Sequence, residues 1–200
     1  MFLNEKTLNA LMKKAYKTDG LVVAQTEEGW VYLAGRYWQA EILREYIPKQ
    51  TLANIIALAG ELPEPGERFR SDKDGNQYEM EMDMRIDRQT YTMGPLTLTN
   101  TLQIGTDGVI QRYLQDTDTG MLYLVNEAFI NLAKGEVDET HGEYAPSEPF
   151  YNQNGLLWQN NICHMAATFR HDMKNAKTLE ALKGVDLTPP TIDEMMEKKE

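Results

Sequence analysis

Residues 78–87 alternate between apolar and charged side chains, and this alternation constrains the fold more than any other feature of the sequence. The apolar positions are Tyr78, Met80, Met82, Met84 and Ile86, and the charged positions are Glu79, Glu81, Asp83, Arg85 and Asp87. Successive side chains of a β-strand point to opposite faces, so the pattern predicts a strand with one buried and one polar face. Residues 96–104 repeat the alternation. It is typical of antiparallel sheets, because parallel strands are usually apolar on both faces.

The first predicted helix follows Asn4, whose side chain is suited to cap a helix N-terminus. Leu8, Leu11, Met12 and Ala15 then recur at helical spacing. That spacing places the four side chains on one face of an α-helix. We therefore expect an amphipathic helix whose apolar face packs on the sheet.

Shorter patterns predict the remaining elements. They are a hairpin of residues 21–24 and 30–33, a short helix after Pro48 with Leu52, Ile55, Ile56 and Ala59 inward, strands over 109–115 and 121–125, a short helix after Asn126, and a helix over 161–175. Residues 36–47 fit both a strand and a helix, and residues 136–155 have the composition of a loop. Short turns join most strands, so the predicted fold is α+β. It is a mainly antiparallel meander sheet of about five to seven strands, with helices packed on one face.

The chain is predicted to form one domain. Its length suits a single domain, and no break in composition divides it. We expect one globular α+β domain over residues 1–185 and a polar C-terminal tail over residues 186–200.

Cysteine use and hydropathy favour a cytoplasmic protein. Cys163 is the one cysteine, so a disulfide within the chain is excluded. The first residues lack the basic flank and apolar stretch of a signal peptide. No apolar run approaches the roughly 20 residues needed to cross a bilayer. We therefore expect a cytoplasmic protein without membrane contact.

The common catalytic and cofactor motifs are missing from the sequence. Neither Ser71 nor Ser147 lies in a Gly-x-Ser-x-Gly motif. The chain has no Gly-x-x-x-x-Gly-Lys-Ser/Thr loop for nucleotide phosphates and no Gly-x-Gly-x-x-Gly motif for a dinucleotide. One cysteine also excludes a thiolate zinc site. We therefore predict no cofactor and disfavour an enzyme, although an active site assembled from distant residues leaves no local motif.

The histidines and the cysteine point to structure rather than chemistry. On the predicted helix over 161–175, His164 and His171 would lie opposite the apolar face and about 10 Å apart, too far to share a metal ion. Cys163, near the start of that helix, could form a dyad with His141, but nothing in the sequence brings the two together. The simpler interpretation is two solvent-facing histidines and a buried thiol.

Two acidic loops resemble the start of a calcium-binding loop. Residues 72–76 place oxygen ligands at alternate positions, but Gln77 stands where such a loop needs glycine. Asp116 and Asp118 have the same alternate spacing. Ordinary turns explain both segments without a metal.

Negative charge is concentrated in the middle of the chain, whose net charge is −11. Residues 51–100 carry five basic and nine acidic side chains, for −4, and residues 101–150 carry two and nine, for −7. Glu79, Glu81 and Asp83 would lie about 7 Å apart in succession on one strand face. Such a field attracts basic partners and repels nucleic acid and anionic membranes.

The sequence therefore predicts a non-enzymatic acidic binding protein, an inhibitor or adaptor that docks a negatively charged sheet face onto a basic protein. Its carboxylates could occupy positions that phosphates take, so the expected partner is a nucleic-acid-binding protein. The residues predicted to contact it are Glu79, Glu81, Asp83, Asp87, Asp116 and Asp118. Two alternatives stay open: a metal-dependent enzyme using carboxylates of residues 72–87 for phosphoryl chemistry, and a structural or assembly subunit.

Overall fold

The structure is a computed structural model that describes residues 1–78, 85–105, 107–146, 148–171 and 173–189. The described residues form four α-helices and eleven β-strands. The helices are α1 (Glu5–Thr18), α2 (Lys49–Ala59), α3 (Glu127–Leu132) and α4 (Met173–Ala181). The strands are β1 (Leu21–Gln25), β2 (Trp30–Gly35), β3 (Trp38–Leu43), β4 (Arg68–Asp72), β5 (Gly75–Gln77), β6 (Leu96–Ile104), β7 (Ile110–Asp116), β8 (Leu122–Asn126), β9 (Phe150–Asn152), β10 (Gly155–Gln159) and β11 (Cys163–Thr168).

The chain divides into two compact units, and each is built from two separate segments. The first unit contains Met1–Met93 and Ala128–Thr168. The second contains Gly94–Glu127 and the described residues from Phe169 onward. Both units therefore depend on contacts between segments that are distant in sequence.

The first unit holds an antiparallel sheet of eight strands in the order β5-β4-β1-β2-β3-β11-β10-β9. Strands β1, β2 and β3 form a meander, as the short turns between them require. Strand β11 pairs with β3 on one side and β10 on the other, so it is a central strand. Residues 163–167 of β11 are all buried, so side chains on both of its faces are covered.

One face of this sheet is covered by α1 and α2. Helix α1 contacts β1, β2, β4 and α2. A Cβ added at Gly35 would lie 3.2 Å from the Cβ of Ala15, so α1 packs on the face that carries Gly35 and Leu33. Asn4 caps α1 by accepting a hydrogen bond from Thr7 N at 2.9 Å. The predicted cap and the four buried apolar positions of this helix are confirmed.

The opposite face of the sheet is covered by the segment 85–93. Its buried core contains Val22, Ala24, Tyr32, Ala34, Leu157, Ala166 and Ile86, with Tyr91 and Phe150 packed against them. Ile86 and Tyr91 belong to this segment, which contains a 3₁₀ helix, Arg88–Thr90. This is the face that carries the functional site described below.

The second unit holds an antiparallel sheet of three strands in the order β6-β7-β8. The register of β6 on β7 shifts between Leu98 and Leu102, which indicates a bulge. Tyr113, Leu122 and Leu124 form its core, with Leu179, Leu182 and Leu187 packed against them. Residues of α4 and of the segment after it therefore cover this smaller sheet.

The predicted α+β class and the antiparallel pairing are confirmed, but the predicted strand number and helix packing are wrong. Eleven strands lie in two sheets, whereas one meander of about five to seven strands was expected. The helices do not share one face, because α1 and α2 pack on the larger sheet and α4 on the smaller. The difference arises mainly from residues 150–168, which form β9, β10 and β11 and not a loop followed by a helix.

The predicted helix over 161–175 is wrong for its first half. Strand β11 occupies Cys163–Thr168, and α4 begins only at Met173. A central strand buried on both faces has no apolar–polar alternation, so its composition can imitate a buried helix. The ambiguous segment 36–47 contains β3, and Ile56 of α2, predicted inward, is exposed.

Two further predictions concern residues that the structure does not describe. Residues 79–84 of the alternating segment lie outside them, as do residues 190–200 of the expected tail. Among the residues that are described, no helix has the length and apolar character needed to cross a membrane.

Candidate functional site

The site begins with a cross-strand pair of acid and base. Strands β3 and β11 are neighbours, and Glu41 lies directly opposite His164 in their register. Residues directly opposite each other in an antiparallel pair point to the same face. Both side chains are buried, each about 5% exposed. They lie on the sheet face that is covered by the segment 85–93, because Glu41 also pairs with the core residue Tyr32 on β2.

Hydrogen bonds tie both ends of this pair to the covering segment. Nδ1 of His164 lies 2.8 Å from Oε2 of Glu41. The other carboxylate oxygen of Glu41 accepts a hydrogen bond from the backbone N–H of Ile86. Nε2 of His164 lies 3.2 Å from Nη1 of Arg88. A buried carboxylate needs such partners, since an unpaired one would cost several kcal/mol.

An aromatic contact fixes the plane of the imidazole. Trp30, on β2, stacks on His164 with ring centroids 4.7 Å apart and an angle of 17° between the planes. With Nδ1 held by Glu41 and one ring face held by Trp30, the imidazole has little rotational freedom. Its Nε2 atom therefore points in a defined direction.

A cavity of about 250 Å³ adjoins this group. The residues that line it are Thr26, Trp30, Glu41, Arg85, Ile86, Arg88, Asn160, Asn161 and His164. All of them belong to the first unit. The cavity is small and polar, which suits a small ligand with few apolar atoms.

Several polar groups of the lining are already engaged in the fold. Oδ1 of Asn160 accepts hydrogen bonds from the backbone N–H groups of Ile162 and Cys163 at 3.1 and 2.8 Å. Asn161 donates to the carbonyl of Gly142 at 3.0 Å. These amides therefore shape the turn before β11 and leave the ligand contacts to other residues.

The two arginines of the lining differ in their partners. Arg85 forms an ion pair with Glu28, and its hydrogen bond lowers the pKa of that carboxyl from its usual range. Arg88 is exposed and contacts the imidazole of His164. Among the described residues no carboxylate lies within ion-pair distance of Arg88. Of the two arginines described in the lining, Arg88 is therefore the one whose charge a ligand can neutralise.

A larger cavity, of about 410 Å³, lies in the second unit between β8 and α4. Its floor is the stacked pair Tyr123 and Phe169, whose centroids are 4.6 Å apart. Arg170 at its edge donates to Asp107 at 2.8 Å. This cavity is mainly apolar, and its described lining residues include no buried acid–base pair like that of the first unit, so we place the functional site in the first unit.

The predicted partner-contacting carboxylates have different positions. Glu79, Glu81 and Asp83 lie outside the described residues. Asp87 is exposed in the first unit and caps the 3₁₀ helix by accepting from Gln89 N at 3.3 Å. Asp118 is exposed in the second unit. Asp116, in the same turn, is buried and accepts from the N–H groups of Asp118 and Thr119 at 3.0 and 2.8 Å. Its carboxylate thus stabilises the turn.

The predictions for the histidines and the cysteine are partly corrected. His164 was expected to face solvent, but it is buried at the centre of the site, because the segment is a strand. His171 is exposed, as expected. The thiol of Cys163 is buried on the opposite face of β11, and burial raises its pKa well above the usual value. This position does not suit a nucleophile. The backbone of His141 ends a 3₁₀ helix, Glu139–His141.

Sequence reasoning missed Trp30, Glu41, Arg88 and His164 as a group. One signal was available: Glu41 and His164 are single ionisable residues within apolar strand segments, and buried ionisable groups are usually paired. The pairing itself depends on the register of β3 and β11, whose partners are 123 residues apart. No local pattern contains that information.

Metal binding has little support at this site. In the part of the chain that the structure describes, no three His, Cys, Asp or Glu side chains are grouped to hold a metal ion.

The chain matches no protein-family model and no curated protein. The function must therefore be argued from the site itself.

Proposed function

We propose that this chain is a binding protein for a small oxyanion, a carboxylate or a phosphate group, held in the first-unit cavity by Arg88 and His164. The observation that carries the proposal is Arg88, a guanidinium at a cavity that contacts a histidine ring and pairs with no described carboxylate. Four other arginines, Arg36, Arg85, Arg112 and Arg170, do form ion pairs with carboxylates. Arg88 lines the cavity, so a ligand there can reach its guanidinium.

The chemistry of arginine favours an oxyanion. A guanidinium presents its N–H groups in a planar fork that matches the oxygens of a carboxylate or phosphate. The lone pair of an imidazole is a poor substitute, since it satisfies one donor and neutralises no charge. A bound oxyanion would therefore gain a charge-assisted hydrogen bond that the empty site lacks.

The size of the cavity limits the ligand. Its volume of about 250 Å³ is below the range of sites for drug-sized molecules, which begins at roughly 300 Å³. A phosphate ion or a short carboxylic acid fits this space.

The test is a titration with inorganic phosphate at constant ionic strength, followed by calorimetry and by the thermal midpoint of unfolding. A ligand that binds only the native state raises that midpoint in proportion to the logarithm of its concentration. We expect phosphate to do so in the wild type. Arg88→Gln should weaken binding at least about tenfold, since a charge-assisted hydrogen bond contributes about 1.5–3 kcal/mol.

Arg85→Gln is the matched control, because Arg85 lines the same cavity but its guanidinium is paired with Glu28. It should leave most of the phosphate affinity intact. Equal losses in the two variants would indicate a non-specific effect of positive charge. No response to phosphate or to a short carboxylate in the wild type would rule out the proposal.

A second candidate function is supported by the exposed carboxylates. Asp87 and Asp118 are exposed, and so are Glu27, Glu64 and Glu67 in the first unit. Glu27 lies close to Gly66, which stands between Glu64 and Glu67, because a Cβ added at Gly66 would be 2.9 Å from the carboxylate of Glu27. We propose that an acidic surface docks onto a basic, nucleic-acid-binding protein, and that the chain acts there as an inhibitor or adaptor.

This second function predicts a complex that depends on ionic strength. A pull-down at low salt should recover a basic protein, and moderately high salt should release it. Reversal of Glu79, Glu81 and Asp83 to lysine should abolish the complex without unfolding the domain. Recovery of the same partner by the reversed variant would contradict this candidate and leave the oxyanion site unaffected.

A further inference from the structure

The geometry points to a ligand that carries a hydroxyl group beside its anionic oxygens, such as a hydrogen phosphate, and to His164 as the residue that selects for that hydroxyl. This inference rests on the oxyanion site proposed above. It adds the requirement that the ligand donate a hydrogen bond as well as accept them.

The hydrogen bonds around Glu41 determine where the imidazole carries its proton. The backbone N–H of Ile86 can only donate, so one carboxylate oxygen of Glu41 accepts from it. The other oxygen, 2.8 Å from Nδ1 of His164, accepts the N–H of that nitrogen. On the far side of the ring Arg88 can only donate, so Nε2 presents a lone pair. Three contacts thus specify the neutral Nδ1–H tautomer.

A ligand hydroxyl can take the place of Arg88 on Nε2. Arg88 is exposed and lies in the 3₁₀ helix Arg88–Thr90, so its side chain can move without disturbing the core. When a ligand O–H donates to Nε2, Nη1 of Arg88 is released to bind the ligand's anionic oxygens. Every hydrogen bond of the empty site is then replaced, and an ion pair is added.

An oxyanion without a proton cannot replace Arg88 as the donor to Nε2. Sulfate at neutral pH has acceptor oxygens only, and one of them would face the lone pair of Nε2. Phosphate retains at least one O–H in both of its forms near neutral pH, so it can donate to Nε2 and accept from Arg88. A site with a fixed acceptor rejects ligands that lack the matching donor. We expect phosphate to bind at least about tenfold tighter than sulfate.

The decisive variant is Glu41→Gln. Its side-chain carbonyl can still accept from Ile86 N, while its amide N–H donates to Nδ1 of His164. The ring proton then moves to Nε2, which becomes a donor and favours an oxyanion without a proton. The ratio of phosphate to sulfate affinity should fall by about tenfold or more. Glu127→Gln, which removes a carboxylate that pairs with Arg112 in the second unit, should leave the ratio unchanged.

The experiment is a pair of calorimetric titrations, with sodium phosphate and with sodium sulfate, on the wild-type full chain and on Glu41→Gln, Glu127→Gln and Arg88→Gln. Tighter binding of phosphate, lost in Glu41→Gln, would establish the selection. Equal binding of the two ions, with loss of both in Arg88→Gln, would overturn the selection and retain the oxyanion site. Binding of neither ion would overturn the selection, and failure of a short carboxylate to bind as well would overturn the oxyanion site.

A spectroscopic measurement keeps the inference testable if Glu41→Gln does not fold. Long-range ¹H–¹⁵N correlations distinguish the two neutral tautomers of a histidine ring, and His164→Gln assigns the signals. We expect His164 of the wild type to be the Nδ1–H tautomer at neutral pH. An Nε2–H tautomer would overturn the inference whatever the calorimetry shows.

Discussion

Each unit of this protein contains a pair of polar side chains that face each other across two antiparallel strands, and the two pairs are built differently. In the first unit Glu41 faces His164, and in the second Gln103 faces Gln111. The first pair joins an acid to a base and ends at an exposed arginine beside a cavity. The second joins two neutral amides and is closed by Asn175 of α4.

The amide pair is part of a larger network. Gln103 donates to Gln111 and Asn175 at 2.8 and 3.0 Å and accepts from the hydroxyl of Tyr113 at 2.6 Å. An amide has both donors and acceptors, so the network has no preferred direction. Nε2 of Gln111 is buried and has no hydrogen-bond partner among the described residues. Glu41 and His164 instead form a directional chain that ends in the lone pair of Nε2, which Arg88 contacts at the cavity. The amides of the second unit therefore serve packing, whereas the directional chain of the first unit can serve recognition.

The largest expected effect comes from breaking the hydrogen-bonded pair of Glu41 and His164. Glu41→Ala leaves the N–H groups of His164 and Ile86 without an acceptor, so we expect a loss of about 3 kcal/mol in the free energy of unfolding. Glu41→Gln should cost about 1 kcal/mol, because it keeps hydrogen-bonding partners for both.

Denaturant unfolding followed by tryptophan fluorescence checks this prediction. Trp30, Trp38 and Trp158 all lie in the first unit, so the signal reports on that unit. Equal costs for the alanine and glutamine variants would mean that the carboxylate, and not its hydrogen bonds, stabilises the fold.

A smaller effect is expected in the amide network. Gln103→Leu removes three hydrogen bonds and leaves the hydroxyl of Tyr113 and the amide of Asn175 to find other partners, at a cost of about 2 kcal/mol. Hydrogen exchange of the β7 amides is the measurement, since it reports on the second unit. Thr97→Leu, on the same strand but half-exposed, is the control and should change exchange little. A loss in the free energy of unfolding larger than that of Glu41→Ala would reverse the comparison between the two units.

Cys163, next to His164, lies on the sheet face that α1 and α2 cover, and its substitution tests how apolar that face is. Cys163→Ser places a hydroxyl in an apolar environment and should cost about 1 kcal/mol. Because burial raises the pKa of the thiol, native Cys163 should not react with a thiol reagent even at about pH 8. Labelling should follow the rate of unfolding. Rapid labelling of the folded protein would show that this face opens.

The smallest effect is expected at Asp107, in the turn that brings Gln103 opposite Gln111. A hydrogen bond from Val109 N, followed by Arg170, lowers the pKa of Asp107 in the folded state. A lowered folded-state pKa stabilises the native state above the unfolded value of about 4, and that contribution is lost as the pH falls through the folded value. The side chain is partly exposed, so Asp107→Asn should cost no more than about 0.5 kcal/mol at neutral pH.

The free energy of unfolding, measured at neutral pH and at about pH 3, checks the sign of the pH dependence. The difference in this free energy between the wild type and Asp107→Asn should be smaller at about pH 3. A difference that grows there would mean that protonated Asp107 makes the stabilising contact.

The sequence predicted the elements whose signals are local. Asn4 and the four apolar positions of α1 occur within one short segment, and so do the strands of the hairpin β1–β2. Strand β11 was missed because both of its faces are buried, and burial on both faces removes the alternation that identifies strands. The mistaken helix placed His164 in solvent, so the site was lost with the strand.

Parts of the site could have been anticipated from chemistry. Glu41 and His164 stand alone among apolar neighbours, and opposite ionisable types in such positions are candidates for one another. Arg88 gave no signal, because it follows a segment whose alternation predicted a strand, and its contact with His164 depends on how residues 85–93 cross the sheet. Such crossing is decided by tertiary packing.

The division of each unit into two chain segments also determines when, during synthesis, the protein can complete its folding. Strand β3 is made early in synthesis, but its partner β11 emerges only after the whole 94–127 segment. Closing a loop of that length delays folding, and until then β3 lacks the neighbour it pairs with in the native sheet. Strand β11 must therefore leave the ribosome before Glu41 meets His164. Oxyanion binding would then be a readout of completed folding, and nascent chains ending before β11 should lack it.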